Sequence, residues 1–220
     1  MNIYSIPGFS EPFSSFSHLF VTPLFLLFGI LLIIRCKGGF GYRVAIGIFV
    51  FATLFMLSMS GVYHLLTPGG AGREVLWRLD HAAIFVLIAG TLTPVHTLLF
   101  KGWGRWGMLL LAWGITATAV SLKTVFFHSM PEWLSLSLYL GFGWLGLFSG
   151  IALYRRHDYA FIKPLLYGGL AYSVGAVLEF LRQPILINGV IGPHELFHVA
   201  VLFGLGFHWL FIWRISVHNE

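Results

Sequence analysis

Seven stretches of this chain are long and apolar enough to cross a bilayer, and that pattern limits what it can fold into. The runs lie at about residues 17–36, 44–66, 79–100, 106–126, 133–153, 164–181 and 194–212. Each is close to the roughly 20 residues that a spanning helix needs. Hydrocarbon offers no partner to open backbone groups, so each run must be helical. Only 10% of the 220 residues are charged and 58% are hydrophobic, whereas a soluble domain carries about 25% charged residues. A water-soluble fold could not cover itself with so few charges. The prediction is an all-α polytopic membrane protein, a seven-transmembrane-helix bundle. It forms a single domain over 1–220 with a short N-terminal segment, 1–16.

The connections are short and rich in turn residues, as in Thr67-Pro68-Gly69-Gly70 and Asn188-Gly189-Val190-Ile191-Gly192-Pro193. Residues 1–16 hold no Lys or Arg and so lack the basic start of a signal peptide; the first run is expected to stay as a helix. The lone cysteine, Cys36, excludes an intrachain disulfide. A formal net charge of +5 could suggest nucleic acid, but the basic residues are scattered between apolar runs. That suits loops facing anionic headgroups and speaks against a nucleic-acid partner. With up-down threading, Arg35, Lys37, Arg43, Lys101, Arg105, Arg155, Arg156, Lys163 and Arg214 share one side, and Arg73, Arg78, Lys123 and Arg182 the other. The positive-inside rule then predicts an external N-terminus and a cytoplasmic C-terminus. Gly146 and Gly150 have the spacing of a close helix contact.

Ionisable residues at membrane depth are costly, which makes them the first candidates for function. The richest cluster opens the seventh run, His194-Glu195-Leu196-Phe197-His198. Histidines at i and i+4 lie on one helix face and can converge on one metal ion, as in the HExxH zinc motif. The bland alternative is a pair of helix-start histidines bonded to water or backbone. Zinc needs a third protein ligand, and His64 at the end of the second run is the candidate. Threading brings that end, the start of the third run and the start of the seventh to one membrane face. His64, Asp80, His194 and His198 therefore occupy one level. Ser60, four residues before His64, is on the same face and one turn deeper; it is either a site hydroxyl or a packing serine bonded to its own helix. Asp80 is either a helix cap or surface ion pair, or a carboxylate that moves a proton beside the metal. His81 is turned about 100° from it.

Ser60-x-x-x-His64, the stretch Leu79-Asp80-His81-Ala82-Ala83-Ile84-Phe85 continuing to Pro94, and Pro193-His194-Glu195-Leu196-Phe197-His198 together resemble the haemolysin III family. That family belongs with the adiponectin and progestin receptors and, more distantly, the alkaline ceramidases. The resemblance implies a seven-helix bundle with Zn2+ held by His64, His194 and His198, and it places the family's serine on Ser60 and its aspartate on Asp80. It also implies hydrolysis of a lipid amide, with a membrane lipid supplying an acyl chain, in a bacterial inner membrane. The related receptors have a cytoplasmic N-terminus, opposite to the orientation read from loop charge.

Three functions follow. The first is a zinc-dependent lipid amide hydrolase with Ser60 and Asp80 as catalytic groups. The second is an intramembrane metalloprotease with Glu195 as base; against it, Val201 stands where the extended metzincin pattern has glycine. The third is a receptor or membrane-perturbing protein with a structural metal. His18, His96, His128, His157, His208 and His218 read as ordinary histidines, most of them in loops or at helix ends where the ring is easily solvated; His208 lies roughly 15 Å along the helix from His198. Glu179 and Arg182 read as a structural pair. The 22 phenylalanines identify no substrate, and the oligomeric state stays open.

Overall fold

The structure, a computed structural model, describes residues 3–217; His218 lies outside the described residues. These residues form seven α-helices: α1 (Pro12–Arg35), α2 (Phe40–Leu65), α3 (Ala71–Leu99), α4 (Trp103–Val125), α5 (Glu132–Tyr154), α6 (Tyr159–Leu181) and α7 (Pro193–Ile215). All seven are long and apolar enough to span a membrane. The fold is the seven-helix membrane bundle that the apolar pattern predicts.

Two helices begin well before the apolar runs. α1 starts at Pro12 rather than near 17, with proline in the first turn, where its missing N–H is no loss. α3 starts at Ala71 rather than near 79. Hydropathy stops short because these turns carry polar groups that face protein instead of lipid. Ser14, Ser15 and His18 are buried on α1, and Arg73 on α3 bonds Glu11 and the carbonyl of Leu66. Asp80 therefore sits inside α3, and the helix-cap alternative for it does not hold.

α3 is the most enclosed helix. It packs on α2, α4, α5 and α7, while α1 closes against α2 and α7. α6 bridges α5 and α7; α4 and α5, although consecutive, scarcely meet. A buried layer of Phe49, Met56 and Leu57 from α2, Leu87 from α3, and Leu205, Trp209 and Ile212 from α7 holds α2 and α7 in fixed register. That register sets where the end of α2 and the start of α7 stand. Close packing, not exclusion of water, drives helix association in lipid. A Cβ on Gly90 would lie 2.5 Å from that of Ala52, and one on Gly175 2.6 Å from that of Ala200. Gly146 and Gly150 make no such approach. A Cβ there would first meet a leucine side chain at 3.9 Å, from Leu92 and Leu166 respectively.

The bundle is polarised. The nine basic residues grouped above lie near one end. At the other, where α2 ends and α7 begins, lie Glu11, Glu74, Asp80, Glu132, Glu179 and Glu195.

Candidate metal centre

The site is assembled at the acidic end by two helix termini. Pro68 and Gly69 follow α2 closely and stop it within a turn of His64. The segment before α1 then covers that terminus: the backbone N–H groups of Ser10 and Glu11 donate to the carbonyls of Leu65 and His64 at 3.2 and 3.0 Å. α7 opens with Pro193, and the Gly192 N–H donates to Glu195 Oε2 at 2.9 Å, which secures the first turn.

The three predicted histidines meet. His194 Nε2 lies 3.2 Å from His64 Nε2 and 3.2 Å from His198 Nε2. One ligand atom from each residue falls within 4.8 Å of the others. The ring planes fan apart, at 52°, 61° and 74° between pairs, so the rings converge edge-on. A tetrahedral ion bound at about 2.0–2.1 Å holds neighbouring nitrogens roughly 3.3–3.4 Å apart, close to what is found. His64 and His198 are buried and His194 is partly exposed.

The far edges of two of these rings face carboxylates. His64 Nδ1 bonds Glu11 Oε2, and His194 Nδ1 lies 3.5 Å from Glu179 Oε1. A neutral imidazole carries one N–H, so each carboxylate draws that proton to Nδ1 and leaves a lone pair on Nε2. Two such lone pairs 3.2 Å apart repel, and a bound metal ion or a further proton relieves that repulsion. This donor set fits a metal ion.

Glu11 also pairs with Arg73, whose guanidinium lies 4.6 Å over the Tyr63 ring. Partial burial opposes ionisation of Glu11, but its hydrogen bonds and charge contacts with His64 and Arg73 outweigh that and hold the carboxyl down at about 2. Sequence reasoning missed Glu11. The signal was its isolation: it is the only acid before Glu74 and it directly precedes Pro12. The reading of Glu179 was incomplete, since beyond accepting from Arg182 Nη1 at 2.6 Å it backs His194.

His18 was misread as solvated. It is buried within α1, stacked on His198 with ring centroids 4.2 Å apart, and neither nitrogen has a hydrogen-bond partner among the described residues. His96 is also buried: Nδ1 donates to the Gly104 carbonyl at 2.7 Å, and Nε2 accepts from Ser149 Oγ at 2.8 Å. His208 donates from Nε2 to the Leu165 carbonyl at 3.2 Å. His128 is exposed and meets Glu74 at 2.8 Å; His157 stacks on Phe161.

Ser60 is buried one turn below His64. Thr91 and Thr93 of α3 donate back to their own helix at 2.8 and 2.7 Å, whereas no hydrogen bond of the Ser60 hydroxyl occurs among the described residues. Asp80 lies on α3, largely shielded, with Oδ2 3.8 Å from His81 Nδ1. Neither Ser60 nor Asp80 hydrogen-bonds the imidazoles. Glu195 is fully committed elsewhere: Oε2 caps the helix start, and Oε1 accepts from Ser14 Oγ at 3.1 Å. Its place is that of a first-turn acid supporting α7.

Comparison with known proteins finds a family and two relatives. A family profile described as haemolysin-III related matches residues 9–209, which takes in Glu11 and all three histidines. The chain is similar to the Hemolysin-3 homolog of Bacillus subtilis (strain 168), 30% identical over 161 residues, covering 73% of this chain and 72% of that protein. It is also similar to Hemolysin-3 of Bacillus cereus, 33% identical over 126 residues, covering 57% of this chain and 54% of that protein. The match thus spans about half the length of that second relative.

Proposed function

The chain belongs to the haemolysin III-related family, and on that premise we propose that it is a zinc-dependent hydrolase of a lipid amide in a bacterial plasma membrane. Two Nε2 lone pairs held 3.2 Å apart, with their Nδ1 edges turned to carboxylates, carry this reading. Three imidazoles without a thiolate suit zinc, and three protein ligands match catalytic zinc sites, whereas structural sites use four. When bound, zinc supplies Lewis-acid activation of water and of a carbonyl group at neutral pH. His64, His194 and His198 would hold it as neutral ligands, with the tautomers of His64 and His194 fixed by Glu11 and Glu179. Asp80 accepts the proton of the attacking water and returns it to the leaving amine. The uncommitted hydroxyl of Ser60 donates to the oxyanion that develops on the amide carbonyl. The acyl chain of the lipid lies among the helices.

The test is turnover of a labelled long-chain lipid amide by purified protein. Asp80→Asn should lower kcat by about 10²–10⁴-fold with zinc retained, and Ser60→Ala should lower it by about 10²-fold. Absence of turnover by zinc-loaded protein across acyl lengths would refute the hydrolase. The names of the Bacillus relatives favour one other reading, a non-enzymatic, membrane-perturbing protein in which the metal ties α2 to α7. Dye release from vesicles without lipid hydrolysis would support that alternative. Glu195, with both oxygens occupied, gives the metalloprotease no free base.

A further inference from the structure

Away from the histidines, α4 and α5 part to leave a crevice of about 460 Å³, within the roughly 300–1,000 Å³ of ligand sites. Leu111 and Leu122 of α4 and Leu138 and Tyr139 of α5 form its walls, with Phe85 of α3 at its base. Leu110, Leu111, Leu122 and Leu138 are exposed on helix faces that meet lipid, so the crevice opens to the bilayer. At about 30 Å³ per water-sized volume, it holds roughly fifteen such volumes, room for one acyl chain.

One polar feature marks its end. Lys123, in the last turn of α4, lines the crevice and is 5% exposed. Its ammonium donates to Ser135 Oγ at 2.6 Å and lies 4.8 Å over the Phe127 ring. No carboxylate pairs with it among the described residues, because nearby Glu132 is bound to Arg182. A lysine near a span end normally extends its amine to water. Here the amine is enclosed without a counter-charge, at a depth where that is costly.

We infer that the α4/α5 crevice is a binding site for an anionic phospholipid: one acyl chain lies in the crevice, the phosphate meets Lys123, and the second chain stays in the bilayer. The phosphate supplies the missing negative charge, and bilayer lipid is the molecule that already faces the opening. The site is separate from the proposed hydrolysis and does not depend on it.

Native mass spectrometry of the full chain, released from micelles doped with phosphatidylglycerol, phosphatidylcholine or oleate, tests the inference. Wild type should retain one phosphatidylglycerol at least tenfold in preference to phosphatidylcholine. Lys123→Gln should reduce retention to the phosphatidylcholine level. Gly114→Phe is the second variant; Gly114 lines the crevice and a Cβ there meets nothing within 4 Å, so the side chain starts from open space and its ring takes up crevice volume. It should abolish retention with Lys123 still in place. Undiminished phosphatidylglycerol binding in either variant, equal binding of the zwitterionic lipid, or preferential retention of oleate would each overturn the assignment.

Discussion

Replacing Glu11 by glutamine isolates the support that the N-terminal segment gives to the metal centre. The carboxylate accepts from two donors at once, His64 through Oε2 and Arg73 through Oε1. An amide offers one oxygen and one NH2, so one of the two donors must face another donor. If the oxygen stays with Arg73, His64 loses the group that fixes its tautomer; if it stays with His64, the bond is neutral and about half as strong. Loss of such a partner costs about 10–100-fold in metal affinity, or about 1.4–2.8 kcal/mol. Zinc competition against a fluorescent chelator, in detergent at fixed pH, reads this directly. Far-UV circular dichroism checks that the helices persist. Arg73→Met, which leaves the carboxylate on His64, should cost less than Glu11→Gln. Zinc affinity within twofold of wild type in Glu11→Gln would refute the reasoning.

Three further outcomes follow from the same contacts. Glu195→Gln should leave zinc content and any hydrolytic kcat within a few-fold of wild type while lowering thermal stability by about 1 kcal/mol; total loss of activity with zinc retained would return Glu195 to a chemical role. Gly90→Val drives α2 and α3 apart at Ala52, and the overpacking should cost about 1–3 kcal/mol in reversible unfolding in mixed micelles. A reporter fused after residue 220 should read as cytoplasmic if the nine-to-four distribution of basic residues sets topology, and a non-cytoplasmic signal would reverse it.

The seven spans and the three histidines were legible because each depends on one-dimensional spacing. Apolar runs of spanning length identify the helices, and His194 and His198 share a face by periodicity alone. His64 followed from up-down threading, which brings alternate helix ends to one level. The supporting groups were less visible because they lie where the hydropathy pattern fails. Glu11 directly precedes α1 and His18 lies in its second turn, where polar side chains face protein, so an apolar window excludes the former and offers no reason to bury the latter. Glu179 looked complete once paired with Arg182 three residues on, since the approach of α7 to α6 is tertiary and leaves no local trace. The expected contact at Gly146 and Gly150 failed because small-residue spacing says nothing about which helix comes near. Gly90, which does meet Ala52, carries no such motif, since Val86 and Pro94 stand four residues to either side.

Zinc K-edge X-ray absorption on protein purified without added metal, with elemental analysis of the same sample, bears most directly on the centre. The account predicts about one zinc per chain, with three imidazole nitrogens at about 2.0–2.1 Å, and loss of that signal in His194→Ala and His198→Ala. Metal-free wild-type protein that cannot be loaded, or an unchanged spectrum in those variants, would contradict it.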